Sequence, residues 1–112
     1  MEQYRVRMTD HAIGQMGETV RYISKVLQAP ETALRWADRL EAEMARLGRM
    51  PGRYPLTPEE PWRSEGIHKM PVENFLVYYW VNEEAMTVWI TAVVYGRRDQ
   101  LDQLQRMPLP ET

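Results

Sequence analysis

The side chains of this 112-residue sequence best suited to chemistry are cationic and aromatic, and they gather in its second half. Tyr95, Arg97 and Arg98 close a long run of β-branched and aromatic residues, and His68 and Lys69 sit near its start. Arg53, Tyr54, Trp62 and Arg63 lie on the stretch leading into it. Such a set can hold a phosphate, a carboxylate-rich peptide or an RNA base. RNA cleavage would need cations around the scissile phosphate and a group that moves a proton. His68 is the candidate for the proton, with Lys69 and Arg98 for charge stabilisation. The plainer alternatives are a surface histidine beside a strand and a local ion pair between Arg98 and Asp99.

Other chemistries find no support. No glycine-rich phosphate loop follows a strand, and no nucleophile elbow is present. Cysteine is absent and there are two histidines, His11 and His68, so neither a thiolate nor a multi-histidine metal site is expected. The acidic pairs Glu59-Glu60 and Glu83-Glu84 fall where solvated turns are expected. The formal net charge of −2 argues against generic coating of nucleic acid. Arg49, Arg53, Arg63, Lys69, Arg97 and Arg98 could still form a local basic patch, interleaved by Glu59, Glu60 and Glu65. No basic-then-apolar leader and no apolar run of bilayer length is seen. A soluble, cytoplasmic protein without a membrane partner is the expectation.

The elements that must position these residues follow from periodicity. Residues 66–99 read as a three-stranded antiparallel meander. With a hairpin loop over 82–85, Val81 would pair with Met86. Val77, Tyr79, Val81, Val88, Ile90, Ala92 and Val94 would then share an aliphatic face with Met86. Leu76, Tyr78, Trp80, Trp89, Val93 and Tyr95 would lie opposite, among threonines. Helices over the first face and a groove on the second are one solution; burial of both faces is the other. Upstream, residues 3–8 alternate as a charged edge strand with Tyr4, Val6 and Met8 inward. Thr9 or Asp10 caps a helix whose stripe is Ile13, Met16, Val20, Ile23 and Leu27. Pro30 opens a second helix with Ala33, Ala37, Leu40, Met44 and Leu47 inward, and Gly48 ends it. The two should form a hairpin over the sheet. A proline-stiffened loop spans 49–65, pinned by Tyr54, Leu56 and Trp62. Asp99 to Gln105 should form a short helix through Leu101 and Leu104, before a frayed tail from Pro108. The expected fold is one α+β domain over residues 1–107: a small twisted antiparallel sheet, the N-terminal strand plus the meander, under a helical hairpin.

This order and three stretches resemble the RelE/ParE superfamily of type II toxin–antitoxin toxins. The stretches are Tyr4 to Ile23, Met50-Pro51-Gly52-Arg53-Tyr54-Pro55-Leu56, and Val72 to Asp99 with its Tyr95-Gly96-Arg97-Arg98 end. The resemblance implies a cognate antitoxin whose C-terminal segment lies in a toxin groove by helix docking, strand addition or both. No cofactor and no metal are expected. RelE-like members cut mRNA on the ribosome with several cations, whereas ParE-like members bind DNA gyrase. The RelE-like pattern has a basic residue where this chain has Leu76, and a pair of basic residues where it has Ile67 and Lys69. Arg97 and Arg98 keep the basic position after the glycine, but no hydroxyl-bearing aromatic follows Tyr95. The cleavage set of His68, Lys69 and Arg98 is thus depleted, and the ParE-like branch is favoured. Arg53, Tyr54, Trp62, Arg63, Tyr78, Trp80, Trp89, Tyr95, Arg97 and Arg98 are then expected to meet the target or partner. The RelE-like endoribonuclease and a non-toxic peptide-binding module are the alternatives. The aromatic sheet face could also pair with itself in a homodimer.

Overall fold

The computed structural model describes residues 3–96 and 100–108. Strand β1 (Arg5–Met8) leads into helix α1 (Asp10–Arg21), which passes into a π-helical turn over Tyr22–Val26. Helix α2 (Pro30–Arg46) folds back on both. Strands β2 (Ile67–Val72), β3 (Phe75–Asn82) and β4 (Thr87–Tyr95) form the expected meander, and α3 (Gln100–Arg106) follows. The sheet order is β1-β4-β3-β2. β1 lies at the edge, as its outward arginines require, but it pairs with β4 in parallel, so the sheet is mixed. The helical hairpin carries the chain from β1 to the far edge, and the two reversals of the meander leave β4 parallel to β1.

Local chemistry sets the helix starts. Thr9 caps α1, its hydroxyl accepting the Ala12 amide at 3.2 Å. Pro30 occupies the first turn of α2, where its missing N–H costs nothing, with Glu31 beside it. Ala33, Trp36, Leu40 and Met44 are buried on α2, followed by Leu47. In α1 the stripe is narrower than its spacing predicts. Met16, Val20 and Ile23 pack on the core, but Ile13 and Leu27 are exposed and Ala12 is the buried residue. The π-helical turn explains the far end: Leu27 bonds back five residues to Tyr22, which rotates its side chain off the stripe. Gly14 and Gly17 meet no other backbone, so they mark local tolerance.

The meander register differs from the expected one in two ways. Val81 pairs with Val88, not Met86, and the loop runs from Glu83 to Met86. Asn82 organises it by accepting the Ala85 amide at 3.1 Å, and Met86 adopts a left-handed φ of 51°. Then a β-bulge falls between Tyr78 and Tyr79: Tyr79 pairs with Ile90 but Tyr78 with Ala92. The additional residue, Thr91, reverses the alternation along the rest of β4. Val93 and Tyr95 therefore face the hairpin, while Ala92 and Val94 face away, the reverse of the expected assignment.

Two cores result. The hairpin covers Val77, Tyr79, Val88, Ile90 and Val93. On the other face, α3 and the proline loop seal Tyr78, Ala92 and Val94 under Leu104, Met107 and Trp62. Burial of both faces is thus the outcome over this part of the sheet. Leu104 packs back as expected; Leu101 is exposed. The loop also lends β2 an edge partner, with Thr57 N–H bonding Ile67 O at 2.8 Å and Lys69 N–H bonding Pro55 O at 3.1 Å.

Gly48 ties the hairpin to the sheet. Its carbonyl accepts the Tyr4 amide at 2.7 Å, and a Cβ there would stand 2.8 Å from the Tyr4 carbonyl oxygen. Backbone cannot yield as a flexible side chain can. Gly48→Ala should therefore cost about 1–3 kcal/mol, read as a lower midpoint in urea unfolding, whereas Gly14→Ala should be neutral or stabilising.

Candidate functional site

Neighbouring residues of a strand point to opposite faces, and this divides the cationic set. His68 pairs across the sheet with Tyr79 and stacks on its ring at 4.7 Å with 9° between planes. Its Nδ1 lies 2.6 Å from the Tyr54 carbonyl oxygen. A carbonyl only accepts, so Nδ1 carries the proton. Tyr79 is itself fully buried, its hydroxyl donating to Pro51 O at 2.8 Å and receiving the Tyr54 amide at 3.4 Å. His68 and Tyr79 thus fasten the proline loop.

Lys69 lies on the other face, opposite Tyr78. Its Nζ donates to Gln100 Oε1 at 2.8 Å and sits 3.7 Å from Glu59 Oε2. Burial pushes the Glu59 carboxyl up, but hydrogen bonding from Thr57 and the charge of Lys69 outweigh it, and the net shift is downward. Lys69 therefore pins α3 and the loop to β2. Arg97, Arg98 and Asp99 lie outside the described residues.

The other expected contact residues are scattered. Arg53 and Arg63 are exposed, with the Arg53 guanidinium 5.8 Å from the Tyr54 ring. Trp62 and Tyr78 are buried in the second core and present no surface to a partner. Trp80 and Trp89 pair on that same face, half-buried, with the Arg7 guanidinium 4.9 Å from the Trp89 ring. Tyr95 stands on the hairpin side, edge-on to Phe75 at 5.6 Å.

Tyr95 instead borders a cleft of about 660 Å³ between the π-helical turn and the end of β4. Tyr22, Ile23 and Leu27 form one wall, and Phe75, Val93 and Tyr95 the other. Tyr22, Leu27 and Tyr95 are exposed apolar surface beside it. β1 pairs with β4 only through Ile90, so beyond that point β4 has no strand neighbour on this side among the described residues. The Val93 amide is met by Gln15 Oε1 at 2.8 Å. The cleft thus joins an apolar wall to an open strand edge, a form that receives an extended or helical peptide. Its helical wall was legible only as core, because Ile23 and Leu27 fit the buried stripe. Among the described residues no cluster of three or more histidine, cysteine or acidic side chains could hold a metal, and no helix is long and apolar enough to cross a membrane.

These features describe a small α+β protein with an apolar cleft between its π-helical turn and the end of β4. The family model described as the ParE toxin of the type II toxin–antitoxin system, parDE, matches residues 6–100. The chain belongs to this toxin family. Solved structures share its fold. The chromosomal ParDE toxin–antitoxin system from P. aeruginosa contains a chain 18% identical, with TM-score 0.68, covering 83% of this chain and 96% of that one. The RelBE2 toxin–antitoxin complex from Mycobacterium tuberculosis gives 22% identity and TM-score 0.60, covering 85% and 93%. A doubly arginine-to-alanine-substituted E. coli RelE toxin in the free state gives 13% and 0.59, covering 93% and 97%. No curated protein matches the sequence.

Tyr78 and Tyr79 generate paired predictions. The Tyr78 hydroxyl is buried with no hydrogen-bond partner among the described residues, whereas that of Tyr79 has two. Tyr79→Phe should destabilise by about 1–3 kcal/mol, since it strands buried polar groups, while Tyr78→Phe should be neutral or stabilising; thermal unfolding measures both. Burial pushes both phenols from 10.0 to about 12, with the Glu59 charge adding at Tyr78. The unfolded chain loses these protons first. Stability should accordingly be insensitive to these groups below about pH 9 and fall between about pH 10 and 12. The fall should be smaller in Tyr78→Phe, as read by chemical unfolding at fixed pH.

Proposed function

We propose that this chain is a ParE-like toxin that arrests growth by binding DNA gyrase and is neutralised by a cognate antitoxin. The observation that carries the choice of branch is the division of His68 from Lys69. A nuclease site needs its proton-transfer group and its cations on one phosphate. Here the two side chains leave opposite faces of β2, and each is engaged in holding the chain's own loop or helix. Leu76 and Ile67, where the RelE-like pattern has basic residues, agree with this. Arg97 and Arg98 remain proposed contacts to the target, with the exposed Arg53 and Arg63. The match to a family named for its toxin–antitoxin system supports the antitoxin, as do relatives solved as such systems. On this reading its docking segment lies in the cleft between the π-helical turn and β4, with apolar side chains against Tyr22, Leu27 and Phe75 and its backbone along the β4 edge beyond Ile90, where Gln15 meets the Val93 amide.

Expressed without its antitoxin, the chain should stop growth, and the purified protein should inhibit supercoiling by purified gyrase. Lys69→Gln should keep the arrest. Arrest abolished by Lys69→Gln, with gyrase unaffected, would favour the ribosome-dependent endoribonuclease instead. Absence of arrest in the unaltered chain would favour the non-toxic module. Leu27→Asp, an exposed change, should weaken antitoxin binding at least about tenfold by calorimetry and leave the arrest intact.

A further inference from the structure

The end of the sheet away from α3 carries a surface that the cleft does not use. On the face opposite the hairpin, three strands align Arg7, Trp89 and Trp80 in one cross-sheet row. The next row is Arg5, Thr87 and Asn82. Arg5 and Arg7 are exposed and Trp89 and Trp80 are half-buried. The six positions hold two arginines and no carboxylate. The nearest acidic residue in sequence, Glu83, is drawn away from them: it accepts the hydroxyl of Tyr4, whose ring packs in the hairpin-side core.

We infer that this Arg5–Arg7–Trp89–Trp80 face is a contact surface for the toxin's protein target in addition to the arginines proposed above, and that it takes an acidic segment bearing an apolar side chain. The inference rests on the reading of the chain as a ParE-like toxin. Arginine and tryptophan are the side chains that most often dominate protein interfaces. Here the indoles supply rigid apolar area, and the exposed Arg7, its guanidinium 4.9 Å from the Trp89 ring, carries the planar fork that pairs with a carboxylate. Charge decides between a protein and a nucleic acid. Two arginines neutralise two charges at most, on a chain of net charge −2, and Glu84 is exposed on the adjoining loop. A polyanion needs more phosphate contacts than this face can offer. An acidic peptide segment needs one or two. The face also lies across the sheet from the antitoxin cleft, so target and antitoxin would contact different residues.

The experiment compares the full-length chain with Arg5→Glu/Arg7→Glu and with Trp89→Ala in gyrase supercoiling inhibition, with antitoxin binding by calorimetry alongside. Each variant should need at least about ten times more protein for half-inhibition while antitoxin affinity stays near that of the unaltered chain, and the variant at the exposed arginines should also keep its thermal midpoint. Arg5→Lys/Arg7→Lys should recover part of the inhibition, since it restores charge without the planar fork. Inhibition unchanged in the charge-reversed variant overturns the assignment, as does a parallel loss of antitoxin binding. Binding of a single-stranded oligonucleotide lost with Arg7 would also overturn it, in favour of nucleic acid. Failure of the unaltered chain to inhibit gyrase would refute the ParE-like reading itself, a result distinct from any of these.

Discussion

One additional residue in the middle of the sheet determines what each face of this protein can do. Thr91 is accommodated as a bulge opposite the Tyr78–Tyr79 step, its hydroxyl donating to Tyr78 O at 3.2 Å. Before it, Val88 and Ile90 face the hairpin; after it, Val93 and Tyr95 do. Without the inversion Ala92 and Val94 would fill that side, and the large ring of Tyr95 would stand on the other. The bulge thereby places Tyr95 at the cleft and lets the small Ala92 lie beneath Leu104 and Met107. The position also follows the end of β1 at Met8, paired with Ile90, so the strand edge opens where the face reverses.

The same alternation limits the chemistry. His68 and Lys69 are adjacent in sequence and therefore remote in function, one clamping the loop at Tyr54 and the other linking β2 to α3 and Glu59. Each side chain is tied to a different part of the chain's own structure. Catalysis by positioned groups requires convergence on one atom, and this sheet diverges at that step. Surfaces suited to polypeptides are what it does offer: the cleft on one face and the row of arginine and tryptophan on the other.

Much of this was legible in the sequence, and the misses have physical causes. The two-period run from Ile67 to Tyr95 gave the meander, Thr9 and Pro30 gave the helix starts, and the alternating arginines of β1 gave an edge strand. A bulge has no signature in hydrophobic alternation when both faces are apolar, since Ala92, Val93 and Val94 are acceptable on either side. That is why Ala92, Val93, Val94 and Tyr95 lie on the faces opposite to those their alternation predicts. The hairpin register slipped because Asn82 caps its loop from the strand end and Met86 takes a left-handed conformation that a methionine does not announce. The second core depended on α3, whose seven residues show only Leu101 and Leu104 as apolar, so its reach over Tyr78 could not be read in advance. Leu27 fits its stripe by spacing, and only the π-helical turn takes it out to the cleft.

The claim on which the rest depends is that growth arrest by this protein involves no RNA cleavage. Mapping transcript 5′ ends across the cell within minutes of inducing the chain alone tests it most directly. The set of ends within coding regions should stay unchanged while growth stops. New ends at ribosome-bound codons, appearing with the arrest, would contradict it.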